Sequence, residues 1–197
     1  MNQLMKNLFL FSLMILLLSS CFGDKKSAIG TNFNDSSFVN ISFSGNKMNF
    51  ADINSPCNYT SKEALAKLYN TSEEKVILIG GNAQSKTCTI RIQLSDQEFD
   101  YITGAIHFYE EANKRSDGTT WEDDWQLQKG ISKSAQWISN MGKAAMYKNA
   151  KRELLVKFDE YTMSVVAPGS AFNEKEKELN RDYEKIAVAI AKNTPLF

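Results

Sequence analysis

Histidine is almost missing from this chain. His107 is the single one in 197 residues, so any triad built on an imidazole base would have to use it. Cysteine is scarce as well. Cys21, Cys57 and Cys88 contain no Cys-x-x-Cys pair, which removes a thioredoxin-type redox motif, and without histidine neighbours they fall short of the four ligands of a structural zinc site. Neither sign of charge is in excess, with 23 basic and 23 acidic side chains. That balance offers no basic footprint for nucleic acid and no block of like charge for a polyionic partner. Internal repeats are absent. Proline is limited to three residues against 12 phenylalanines, so the chain is not a disordered tether. Nor is any apolar run long enough for a permanent membrane span. Leu8–Leu18, apolar except at Ser12, would rise only about 16 Å as a helix against a hydrocarbon core of about 30 Å.

That short run has a different meaning at the start of a chain. Met1–Asn7 carries one cation, Lys6, and no acid; the apolar run follows, then the small residues Ser19 and Ser20. This is the order of a secretory signal peptide. Leu18-Ser19-Ser20-Cys21 resembles a bacterial lipobox, in which the chain is cut before the cysteine and the cysteine is acylated. The resemblance implies a signal peptide over residues 1–20 and a lipid-bearing Cys21 that holds the protein to a membrane. A single acyl chain binds a bilayer marginally, whereas a diacylglycerol, with palmitate as a typical further chain, anchors it firmly. Phe22 after the cysteine, in place of Asp, resembles the pattern that sends Gram-negative lipoproteins to the outer membrane, facing the periplasm. Residues 21–36 then form an acylated, polar tether. Fifteen extended residues reach about 50 Å, which would let a domain over 37–197 stand off the bilayer.

Without residues 1–20, 177 residues remain, with 22 basic and 23 acidic side chains. That length suits one domain with a sizeable core. Once Cys21 is assigned to lipid, Cys57 and Cys88 are the two thiols of an exported domain, and a disulfide is the expected outcome. Closing a loop of roughly 30 residues is worth about 3.5–4 kcal/mol in the chain-entropy model.

Hydrophobic periodicity predicts the elements. Phe38–Phe43 alternates like a strand, with Met48–Ile53 as its partner. Thr60–Asn70 has Thr60 and Glu63 in capping-box positions and Ala64, Leu65 and Leu68 on one face, a short helix. Lys75–Ile79 and Thr87–Leu94 form a hairpin. In Asp96–Lys114, the spacing of Phe99, Ile102, Ile106 and Tyr109 predicts an amphipathic helix. Ser116–Gly130 is polar and reads as a long loop. Ala144–Tyr147, Glu153–Asp159 and Thr162–Ala167 are strands of an antiparallel meander. Asn173–Asn193 closes the chain as a helix, with Leu179, Tyr183, Ile186, Ala187 and Ile190 in one stripe. The order predicts an α+β fold, an antiparallel sheet with helices packed on one face and one disulfide.

Cys57-Asn58-Tyr59-Thr60-Ser61-Lys62-Glu63-Ala64, followed by a strand bearing Cys88, resembles a cysteine-framed module of bacterial small lipoproteins. It is also similar to the extracytoplasmic sensor domains of mycobacterial serine/threonine kinases. Ile138–Ala145, with Gly142-Lys143-Ala144-Ala145, would match that module's Gly-x-x-Ala motif. Leu154–Val166 would match its meander and Ile186–Ala191 its last helix. The resemblance implies export and a sensing or binding role rather than a reaction, and no cofactor.

Motifs that approach catalysis stop short. Gly80–Thr87 has Ser85 where a P-loop needs its second glycine, and a β-rich stretch follows instead of a helix. Ser72-Glu73-Glu74-Lys75 matches Ser-x-x-Lys without its companion motifs. His107 falls at the edge of its expected helix stripe. The one stretch that concentrates aromatics with charge is Trp121-Glu122-Asp123-Asp124-Trp125. As an exposed loop it could stack on a sugar or clasp a cationic group, although one tryptophan plugging the core would explain it as well. The sequence therefore predicts a non-enzymatic, membrane-anchored binding or sensing module whose partner is an envelope protein or a glycan. The alternatives are an assembly subunit of an envelope complex, or an envelope hydrolase or its inhibitor.

Overall fold

In the computed structural model residues 33–81, 85–97, 99–170, 173, 176 and 178–197 are described. The expected signal peptide, Cys21 and most of the tether lie outside them. Seven strands form one antiparallel sheet: β1 (Val76–Gly80), β2 (Thr87–Gln93), β3 (Tyr101–Glu110), β4 (Ala135–Trp137), β5 (Ala144–Lys148), β6 (Glu153–Lys157) and β7 (Tyr161–Gly169). Their order across the sheet is β1-β2-β3-β7-β6-β5-β4. Three α-helices accompany it among the described residues: α1 (Lys62–Tyr69), α2 (Trp121–Ile131) and α3 (Tyr183–Lys192). The class is α+β, as the element order predicts, but the helices do not all lie on one face: α2 packs on the face opposite α1 and α3. No helix among the described residues is long and apolar enough to cross a membrane.

Alternation along the strands builds the main core. Cys88, Ile90 and Ile92 of β2 point to the same face as Ile102, Ile106 and Phe108 of β3, Met163 and Val165 of β7, and Leu154 and Val156 of β6. The amphipathic stripes of α1 (Leu65, Ala66, Tyr69) and α3 (Ile186, Ala187, Ile190) pack on that face. The β1–β2 hairpin and the β5-β6-β7 meander are as the sequence predicts. So is the disulfide. Cys57 sits in the single turn Pro56–Tyr59 ahead of α1 and is bonded to Cys88 on β2, with the Cα atoms 4.9 Å apart. The bridge ties the turn ahead of α1 to the sheet.

Four further expectations are corrected. Phe38–Phe43 and Met48–Ile53 are not strands. The Asn40 backbone and side-chain N–H groups donate to Lys143 O and Gly142 O, its side chain accepts from Ser42 N, and Phe50–Asp52 is a single 3-10 turn. A side chain that occupies its own backbone in this way competes with a ladder. The cap of α1 is Ser61, which accepts from Ala64 N, rather than Thr60. The helix expected over Asp96–Lys114 is strand β3. Ile102, Gly104, Ile106 and Phe108 share one face, Phe99 is exposed, and Tyr109 faces the other way. Gly104 is needed there, because a Cβ would lie 2.2 Å from Val166 O, where the β3–β7 register shifts. Finally, α3 starts at Tyr183, capped by Asp182, and Leu179 is exposed rather than in its stripe.

Candidate functional site

The tryptophan stretch is a helix. Thr120 accepts from Asp123 N and the Asp123 carboxylate accepts from Thr120 N, a closed capping box. Glu122, Asp123 and Asp124 lie in the first turn, where the positive end of the helix favours carboxylates. Asp124 also pairs with Arg115 at 2.7 Å. Trp121 and Trp125, one turn apart, fall on the same side of α2, and both are buried. They pack with Phe38, Ala144, Met146 and Leu155 on the sheet face opposite α1 and α3. The expectation of an exposed stacking loop over Trp121–Trp125 is corrected on this ground: the indoles are core and the acids are helix-end residues. The Thr-x-x-Asp signature before two tryptophans at i and i+4 was the signal that identifies the helix.

Beside these indoles the same face carries charge. Lys157, fully buried on β6, donates to Glu111 O at 2.9 Å and Asp159 O at 3.2 Å, with its Nζ 3.8 Å from Glu111 Oε2. The Glu111 carboxylate also accepts from Trp125 Nε1, at 3.1 and 3.2 Å, and from the Thr162 hydroxyl. Further along, Lys148 donates to Gln128 Oε1 at 2.7 Å and lies 3.8 Å from Glu153, which accepts from Ser164 Oγ at 2.9 Å. Burial pulls the Lys157 ammonium down to about 8; the Glu111 carboxylate opposes this and the Lys143 ammonium adds to it. Burial also lowers Lys148. Each of these cations is held by several acceptors, as buried charges require. The network secures α2 to the sheet.

Beyond α2, the face of β1, β2 and β3 is open. His107 lies here, on a strand, with its Nδ1 2.7 Å from Thr87 Oγ1. The same Thr87 hydroxyl lies 2.8 Å from Ser85 O, to which it can donate. Lys86, the lysine of the incomplete P-loop, donates to Phe50 O and Ile53 O. Lys75 ends a single turn before β1 and pairs with Asp96. No group of three potential metal-ligating side chains exists among the described residues.

A concave site occurs on the helix-covered face instead, where the N-terminal end of α3 meets the β4–β5 edge. A cleft of about 370 Å³ is lined there by Gln136, Tyr147, Asn149, Arg181, Tyr183 and Glu184, among others. Asp182 caps α3 by accepting from Lys185 N at 3.0 Å and pairs with Lys185 Nζ at 3.1 Å. Arg181 donates to Glu176 Oε1 at 2.9 Å and lies over the Tyr69 ring. Tyr183 donates to the same Glu176 oxygen at 2.8 Å. Tyr147 is buried, and its phenol is pushed up to about 12, first by burial and then by Glu184 and Asp182. Sequence reasoning missed this site because it placed Arg181 and Asp182 inside a longer helix. Aspartate before an apolar-periodic run is a helix-start signal and marks the break.

Compared with known proteins, no family model, curated protein or solved structure matches this chain.

Proposed function

We propose that the protein is an acyl-anchored cell-envelope lipoprotein whose domain binds or senses a ligand rather than catalysing a reaction. The observation that carries this reading is Leu18-Ser19-Ser20-Cys21 at the end of a short apolar run. The Cys57–Cys88 bridge supports it, since disulfides persist in oxidising compartments outside the cytoplasm. The binding half of the reading is supported by the polar cleft beside α3, with aromatic walls and several convergent polar groups. Cys21→Ala removes the acyl acceptor, so the mutant should leave the membrane fraction and lose incorporation of a labelled fatty acid. Equal pelleting of mutant and wild type would reject the anchor.

A second reading, an assembly subunit of an envelope complex, is favoured by the open face of β1, where Ile77 and Ile79 are exposed on an edge strand. Edge strands with uncovered apolar residues are natural places for another chain to pair.

A further inference from the structure

The Tyr147 side chain is unusual among the buried polar groups. It is 2% exposed, yet its hydroxyl has no hydrogen-bond partner among the described residues, although buried hydroxyls are nearly always bonded. It also lines the cleft beside α3. Gln136 is its cross-strand neighbour, but the Gln136 amide donates to the Glu184 carboxylate instead of meeting the phenol. Gln136 is exposed and belongs to the short edge strand β4, so its side chain is free to change partner beside Tyr147.

The electrostatics of the cleft select the kind of group. Arg181 is matched by Glu176, and Asp182 by Lys185. The Asp182 carboxylate already takes a free N–H of the first turn of α3, which leaves no cradle for a phosphate or carboxylate. Glu184 adds a further carboxylate that repels anions. A ligand with a full negative charge thus gains little here. What remains is a set of planar amides, a carboxylate acceptor, a guanidinium and two tyrosine rings. Groups that both donate and accept, spaced along a compact ring, suit that set. The volume lies in the range of small-ligand sites, which begins near about 300 Å³.

We propose that the cleft floored by Tyr147, between the start of α3 and the β4–β5 edge, binds a neutral saccharide unit. One sugar hydroxyl takes the phenol of Tyr147 as Gln136 moves aside, and neighbouring hydroxyls bond Glu184 and Asn149. The proposal rests on the reading of the domain as a binding module and names its ligand class.

The test uses the full chain in detergent, titrated with maltose, cellobiose and diacetylchitobiose, with inorganic phosphate as a charged control. At least one disaccharide should bind at micromolar to millimolar concentration. Tyr147→Phe should weaken that binding about three- to tenfold, the worth of one neutral hydrogen bond, while its melting temperature stays level or rises, because the phenol bonds nothing in the fold. Asn149→Ala, at an exposed position, should weaken binding by a similar factor. No binding by any of the three sugars, equal binding by Tyr147→Phe, or displacement of the sugar by phosphate would each overturn the saccharide site. The Cys21→Ala fractionation reads the anchor separately, and loss of sugar binding would leave that result standing.

Discussion

On one face of the sheet Ile90, Ile106, Met163, Val165, Leu154 and Val156 meet α1 and α3 almost entirely with hydrocarbon. On the other, Lys157, Glu111, Lys148 and Glu153 lie against α2 beside Trp121 and Trp125, and none of the helices among the described residues packs on the β1–β3 end. The first face gains from burial that needs no particular partner, at about 25 cal/mol per Å². The second holds charges that are tolerated only because every one is bonded. A helix on the first face is placed by its stripe. The helix on the second is placed by specific hydrogen bonds, above all Trp125 Nε1 to Glu111.

The comparison breaks most sharply at Trp125. Trp125→Ala removes a fully buried indole and the donor to Glu111, and should cost about 3–5 kcal/mol in a urea melt. A loss below about 1 kcal/mol would return the tryptophans to the role of an exposed binding loop.

A smaller effect should appear with pH. The Lys157 ammonium has a folded value of about 8 against about 10.4 in the unfolded chain. Below pH 8 both states carry the proton, and the cost of burying the charge is fully present. Between about 8 and 10.4 the unfolded chain holds the proton more tightly, so stability rises with pH. The rise should be on the order of 1–2 kcal/mol and should vanish in Lys157→Met. Above pH 10 the tyrosines reverse the trend. Tyr147 and Tyr183 are pushed up to about 12 by burial, so the unfolded chain loses their protons first. A flat wild-type profile from pH 8 to 10 would mean that Lys157 reaches water.

The smallest effect is expected on the open face. Ile79→Thr should change stability by no more than about 0.5 kcal/mol, since Ile79 is 40% exposed on β1. A larger loss, growing with protein concentration, would show that a second copy covers this face and would favour the assembly reading.

Local signals marked the parts of the fold they govern. Val76–Gly80 and Thr87–Gln93 announce a hairpin because β-branched runs flank Gly80-Gly81, and the meander is legible as short apolar runs separated by brief polar stretches. The pairing of Cys57 with Cys88 follows once Cys21 is set aside. The sequence misleads at strand β3 because its apolar residues lie on both faces. Ala105 and Tyr109 alternate with Ile106 and Phe108, and choosing Ile102, Ile106 and Tyr109 alone imitates a helical spacing. The cleft was harder still. Tyr147 looks like any core tyrosine, and nothing local says that its hydroxyl lacks a partner.

By itself the sequence determined the near-neutral charge, the α+β class, the disulfide and the stripes of α1 and of the last turns of α3, because each depends on residue type or on a period within one element. Only the tertiary structure decided that 101–110 is a strand, that the tryptophans face inward, that Lys157 is paired with Glu111, and that Tyr147 meets Arg181 and Glu184 at one cleft. These depend on what a side chain meets across the sheet, 46 residues away for Lys157 and Glu111, and a local period carries no information about that neighbour.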